Sequence, residues 1–95
     1  MPDLTPRQLA LLRILADADG PQAASYVAAR YMEAHPGEVY GRSECARELW
    51  DLALIGNGGP FVCPFLREPT ILTALWEIAP AGRKALKAHD RRSAR

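Results

Sequence analysis

Basic side chains are concentrated at the carboxyl end of this 95-residue chain. Residues 83–95 contain six lysines and arginines against one aspartate, whereas residues 1–82 contain six arginines against ten acids. The formal net charge of +1 therefore hides a strongly basic terminus. Such a terminus attracts polyanions through charge alone, and it is also typical of a solubilising tail.

Other polar residues offer little catalytic chemistry. No serine lies in a GxSxG motif, and the GNGG stretch at 56–59 is not followed by the Lys-Ser/Thr of a phosphate-binding loop. Glu44 and Glu48 lie one helical turn apart, but paired carboxylates on a helix are usually a solvated face. We therefore predict that the chain is not an enzyme.

The two cysteines, Cys45 and Cys63, are too few for a disulfide scaffold and form no CxxC pair. We interpret both as small buried residues in a reducing compartment. With His35 and His89 they match no metal-ligand spacing, so neither a metal nor a cofactor is predicted. His35 precedes a proline at the predicted end of a helix, where it is expected to cap carbonyl groups.

Start and stop signals predict three helices in the first half of the chain. Thr5, Pro6 and Gln8 form a capping-box pattern before an apolar run that stops at Gly20. A second helix is predicted over the segment that follows Pro21 and ends before Pro36 and Gly37. The sequence SECARELWDLAL, which ends before Gly56, predicts a third helix with Ala46, Leu49, Trp50 and Ala53 facing inward.

A change of period after these helices predicts a β-hairpin. The sequence PFVCPFLREPTILTALWEI is rich in β-branched and aromatic residues, and the polar REPT divides it into two halves. In the second strand, Leu72, Ala74, Trp76 and Ile78 are expected to share one face. Pro64 cannot donate to a strand ladder, so the first strand is expected at an edge or broken there.

The last predicted strand runs into LWEIAPAGRKAL, which joins it to a short closing helix that begins near Pro80. Three helices, a hairpin and a closing helix resemble the winged helix-turn-helix fold over about residues 5–88. The junction is similar to the one that closes many bacterial and phage winged-helix domains, although Ala79 stands where threonine or serine is common. The resemblance implies an α+β, mainly helical domain over residues 1–88, followed by a basic tail over 89–95.

This resemblance also implies that the third helix lies in the major groove of double-stranded DNA, with its first residues toward the bases. On this interpretation the chain is a small cytoplasmic transcriptional regulator that acts as a dimer. The residues expected to contact DNA are Tyr40, Arg42, Ser43 and Arg47 near the third helix, Arg67 in the wing, and Arg83, Lys84 and Lys87 in the closing helix.

Two features favour a protein partner instead. The outward face of the third helix carries Glu44, Glu48 and Asp51 against Arg47, and phosphates repel carboxylates. The hairpin also has more apolar residues than one face can bury, and these either mark an interaction surface or fold back over the core. They are Phe61, Val62, Phe65, Leu66 and Ile71. The alternative hypothesis is therefore a winged-helix interaction module, an accessory or inhibitory factor of phage or mobile-element type.

Overall fold

The computed structural model of the protein describes residues 4–55, 59–64 and 74–93. These residues form an α+β, mainly helical arrangement, which confirms the predicted class. The helices are α1 (Pro6–Asp17), α2 (Ala24–Ala34), α3 (Arg42–Leu54) and α4 (Pro80–Ser93), and the strands are β1 (Gln22–Ala23), β2 (Val62–Pro64) and β3 (Leu75–Ile78). Within the described ranges, no helix has the length and apolar character that crossing a bilayer requires.

Helix α1 begins where the sequence predicts. The Gln8 backbone N–H donates to the Thr5 hydroxyl at 3.1 Å, and the Gln8 side chain accepts from the Thr5 backbone N–H at 3.0 Å. Pro6 occupies the first helical position, where its missing N–H leaves no partner unsatisfied. The chain then turns at Gly20, whose φ of +98° glycine adopts without strain.

The core lies between the helices and the sheet. Helix α1 packs on α2, α4 and β3, while α3 packs chiefly on α2 and β2. Each of α1, α2 and α3 buries one apolar face with helical spacing. The largest fully buried side chains are Leu11, Leu12, Val27, Tyr40, Leu49, Leu52, Phe61, Val62 and Trp76.

The three strands form an antiparallel sheet in the order β1-β3-β2, so β3 is central. Val62 pairs with Ile78 and Pro64 with Trp76, which confirms the predicted pairing of two antiparallel strands. Strand β2, which contains Pro64, lies at an edge of the sheet, as expected for a strand with a residue that cannot donate to a ladder. Ala74, Trp76 and Ile78 are buried while Glu77 is exposed, which confirms the predicted alternation for these residues, and Leu72 lies outside the described residues.

Strand β1 was not predicted. Gln22 and Ala23 pair with Trp76 and Leu75, whereas the sequence pattern placed both residues in the second helix. Neither glutamine nor alanine favours a strand, so no local signal marks this segment. Pairing with the central strand decides its conformation, and α2 begins only at Ala24.

The closing helix begins at Pro80, as the sequence predicts. Helix α4 continues to Ser93, so the expected boundary between a domain and a tail at residue 88 falls inside a helix. The Arg13 guanidinium lies 2.8 Å from the Asp90 carboxylate and fastens this part of α4 to α1. That bond lowers the pKa of Asp90. Arg91 and Arg92 lie in the last turn, where cations interact favourably with the helix dipole.

The two cysteines differ in environment. Cys45 is fully buried in α3, as predicted, and burial raises the pKa of its thiol to about 12. Cys63 is exposed, contrary to the prediction. Strand alternation explains the difference, because Val62 points into the core and its neighbour in β2 therefore points out.

We expect a thiol reagent to modify one cysteine per folded chain. The thiolate is the reactive form, so Cys45 should react only after unfolding, whereas the exposed Cys63 should react at once. Titration with Ellman's reagent, with and without denaturant, measures both. The Cys63→Ser variant should show no reaction while folded, and a fast reaction in that variant would contradict the burial of Cys45.

Candidate nucleic-acid interface

The first turn of α3 is exposed and open. Gly41 precedes it with an extended backbone and, within the described residues, no side-chain hydrogen bond caps this helix. Its first backbone N–H groups therefore remain available to an anion, which a helix N-terminus attracts. Arg42 and Ser43 are both exposed in this turn, as is Arg47 one turn further along. Three of the predicted contact residues thus lie together on one helix.

The outward face of α3 is acidic, as the sequence indicates. Glu44 and Asp51 are exposed and Glu48 is partly buried. With Arg7 from α1 and Tyr40, this face forms a shallow depression of about 350 Å³, whose lining residues are Arg7, Tyr40, Ser43, Glu44, Arg47, Glu48 and Asp51. Neither Arg42 nor Arg47 forms an ion pair with an acid in the described part of the chain. Both guanidinium groups can therefore take a new partner.

Tyr40 lies beneath this face, not on it. Its side chain is 1% exposed, and its hydroxyl donates to Glu48 Oε2 at 2.6 Å. The Arg7 guanidinium lies over its ring, 4.7 Å from the ring centroid. Burial, together with the bond to Glu48, raises the pKa of Tyr40 far above its ordinary value. Tyr40 is thus a positioning residue for α3 and cannot reach a base edge as the sequence-based expectation required.

A second cluster fixes the connection between α2 and α3. The Tyr31 hydroxyl donates to Glu38 Oε2 at 2.5 Å and accepts from Arg7 Nε at 3.3 Å. The bond from Tyr31, with the nearby Arg7 charge, lowers the pKa of Glu38. His35 stacks on the Tyr31 ring at 4.2 Å, and its Nδ1 lies 3.1 Å from the Tyr31 carbonyl oxygen, which confirms the predicted carbonyl cap.

Arg7 is the residue of this region that the sequence did not reveal. It lies near the start of α1, yet it contacts Tyr31, Glu38 and Tyr40. Its guanidinium therefore joins α1 to the connection that leads into α3. Only long-range packing brings these residues together, so no spacing in the sequence marks them.

The basic residues of α4 form a stripe. Arg83, Lys84, Lys87 and Arg91 are exposed and follow helical spacing along one face. In the described ranges, none of them is within ion-pair distance of an acid. The stripe lies on α4, which packs on α1, whereas α3 packs chiefly on α2 and β2.

The apolar residues predicted for a protein interface fall into two groups. Phe61 and Val62 are 1% and 0% exposed, so they belong to the core and offer no free surface. The Phe61 N–H donates to the Leu52 carbonyl at 3.1 Å, and its own carbonyl accepts from Ala79 at 2.9 Å. This agrees with the alternative that the segment folds over the core. Phe65, Leu66, Arg67 and Ile71 lie outside the described residues.

In the ranges that the structure covers, no three His, Cys, Asp or Glu side chains are placed to share a metal ion. Comparison with family models, with curated proteins and with solved structures finds no match to this chain. The function is therefore inferred from the described residues and their chemistry alone.

Proposed function

We propose that the chain binds double-stranded DNA as a small transcriptional regulator, with α3 in the major groove. The order α1, α2, α3, an antiparallel strand pair and α4 supports a winged helix-turn-helix, in which the third helix is the recognition helix. The observation that carries the proposal is the open first turn of α3, which presents Arg42 and Ser43 beside free backbone N–H groups.

Each group at this turn has a role in binding DNA. Arg42 and Arg47 can each donate two hydrogen bonds to the O6 and N7 atoms of guanine or clamp a phosphate. The backbone N–H groups and the Ser43 hydroxyl suit a phosphate at the helix N-terminus. Glu44 lies in the same first turn and can accept from the amino group of cytosine. Only this part of α3 approaches the bases, since Asp51 would face phosphates further along.

The basic stripe of α4 attracts DNA of any sequence. Four exposed cations on one helix face raise the local concentration of DNA around the protein, an effect that weakens as salt is added. Because contacts to phosphate carry no sequence information, loss of the stripe should weaken binding to all sequences equally. Loss of Arg42 or Arg47 should instead reduce the preference for a particular site.

We expect Arg42→Ala and Arg47→Ala each to weaken DNA binding by about fivefold to a hundredfold, since a good contact of this kind contributes about 1–3 kcal/mol. Fluorescence anisotropy with a duplex selected from a random pool measures the affinity. Arg30→Ala is the matched control, because Arg30 is exposed on α2 and paired with Glu33. Unchanged affinity in both α3 variants would remove this helix from the interface.

The same assay tests the acidic face. Joint replacement of Glu44 and Asp51 by glutamine and asparagine removes two exposed charges from α3. Binding to random-sequence duplex should then become tighter because less repulsion opposes the phosphates. Glu48 is left in place, since its carboxylate holds the Tyr40 hydroxyl.

A protein partner is the second candidate function. Leu54 is 74% exposed on the same face of α3 as Arg47 and Asp51, and Val39, just before the helix, is 90% exposed. An acidic face with an exposed leucine suits a partner that has a basic, partly apolar surface. Absence of DNA binding even at low salt would favour this candidate over the first.

A further inference from the structure

An apolar groove of about 920 Å³ lies between α1, α4 and the end of α2. Helix α1 contributes Leu9, Ala10 and Ile14, and α4 contributes Ala85 and Ala88, so residues one turn apart form each wall. Small-molecule sites in proteins have volumes of about 300–1,000 Å³ and mostly apolar walls. The groove has both properties, and no residue of α3 lines it.

Two arginines, Arg13 and Arg92, line the groove together with His89. Arg13 Nη2 and His89 Nδ1 lie 2.8 and 3.9 Å from the same Asp90 oxygen, and Arg92 follows His89 by one turn of α4. Asp90, which does not itself line the groove, offsets the charge of Arg13, and Asp17 is an acid that does line it. Arg92 forms no ion pair with any acid of the described ranges. Its guanidinium is therefore available to an anionic group in the groove.

His89 has an unmet hydrogen-bonding group. Its Nδ1 is buried and has no hydrogen-bond partner within the described part of the chain, although 40% of the side chain is exposed. Buried polar atoms in folded proteins are nearly always paired, and an unpaired one lowers stability. His89 lines the groove, so an acceptor bound there is the nearest candidate for this missing partner.

We propose that this groove binds a small amphipathic carboxylate. Its apolar body lies along the leucine, isoleucine and alanine walls, and its carboxylate lies between Arg92 and His89. Arg92 donates to the carboxylate oxygens, and His89 gains the partner that it lacks. The site is independent of the interface on α3 and does not rest on the proposed binding of DNA.

A second copy of the chain is a poorer occupant. A symmetric dimer through this groove would bring two α4 helices together, and with them two copies of Arg92 beside the basic stripe. Like charges at close range oppose such an interface. A small anion in the groove would instead be attracted by these cationic side chains.

Isothermal titration calorimetry with sodium decanoate, below its micelle concentration, tests the proposal. Decanoate should bind with one site per chain, while decyltrimethylammonium should not bind. Arg92→Gln should weaken decanoate binding about tenfold through loss of a charge-assisted contact. Ala88→Trp should abolish it by filling the groove. Arg91→Gln is the matched control, because Arg91 is the neighbour of Arg92 on α4 but does not line the groove, and circular dichroism verifies the fold of each variant.

Three results would overturn the proposal. Decanoate and decanol binding with equal affinity would show that the cations take no part. Decanoate affinity that is unchanged in both Arg92→Gln and Ala88→Trp would place binding elsewhere. Sedimentation of the free protein as a dimer that Ala88→Trp dissociates would assign the groove to a second copy.

Discussion

The Gly82→Ala variant is expected to lose a large part of the stability of the fold. A Cβ atom at this position would lie 2.3 Å from the Phe61 carbonyl oxygen, 2.9 Å from Ile78 Cγ1 and 3.2 Å from Leu12 Cδ2. The first distance is far below van der Waals contact and involves backbone, which cannot swing aside as a side-chain tip can. Overpacking of this kind costs about 3 kcal/mol or more, out of about 5–15 kcal/mol for a typical domain.

The hydrogen bond of the Phe61 carbonyl increases the cost of this clash. Phe61 O accepts the Ala79 N–H at 2.9 Å, so moving it away from a new methyl group also breaks the bond between the β2 region and the start of α4. Urea denaturation followed by far-UV circular dichroism measures the loss. Gly41→Ala is the control, because its nearest neighbour would be Glu44 Oε1 at 4.0 Å and its φ is −87°. That variant should lose less than about 1 kcal/mol.

A wild-type denaturation midpoint in Gly82→Ala would contradict the close approach of α4 to Phe61. A loss of the same size in both glycine variants would contradict it as well, since alanine at position 41 meets no comparable obstacle.

Trp76→Ala is expected to produce the second large loss. Trp76 is fully buried in the central strand and meets Trp50 edge to face, with ring centroids 4.9 Å apart. Removing a large buried aromatic side chain costs about 3–5 kcal/mol, which includes the cavity that it leaves. The partner ring would also lose an aromatic contact worth about 0.5–1.5 kcal/mol. Urea denaturation again measures the change.

Two further variants separate the contributions. Trp50 is only partly buried, so Trp50→Ala removes the same aromatic pair but should cost less than Trp76→Ala. Trp76→Phe keeps a ring in the core, and it breaks no hydrogen bond because the Trp76 Nε1 has no partner within the described residues. It should therefore be the mildest of the three. Equal losses in all three variants would show that Trp76 is not the centre of this cluster.

The helices and the paired strands follow from local rules in the sequence. The capping box of Thr5 and Gln8 fixes the start of α1, because its hydrogen bonds join residues three apart. Alternation at Trp76, Glu77 and Ile78 fixes which side of β3 faces the core. Both rules need only neighbours in the chain.

Features that the sequence did not reveal depend on distant partners. Gln22 and Ala23 are extended because they pair with β3. Their own residue types do not favour a strand. Phe61 is buried because its backbone bonds to Leu52 and Ala79 draw it onto the core. Cys63 is exposed because the direction of Val62 is set by that same packing.

The candidate interface also contains some residues that local sequence rules identify and others that only distant contacts explain. Arg42, Ser43 and Arg47 are identifiable because the start of α3 can be located from its helical pattern. The role of Tyr40 could not be found in this way, since it depends on a hydrogen bond to Glu48 and on Arg7 from another helix. The sequence thus identifies exposed side chains that a ligand could contact. The structure adds the buried side chains that position their helix.

The strand order has a consequence for how the protein folds during synthesis. The ribosome makes β1, then β2 and finally β3, but β3 lies between the other two. Residue 22 can find its partner only after residue 76 has emerged, although α1, α2 and α3 are already complete by then. The nascent chain therefore has three helices before it has a sheet. Closing the long loop between β1 and β3 is expected to limit its folding rate.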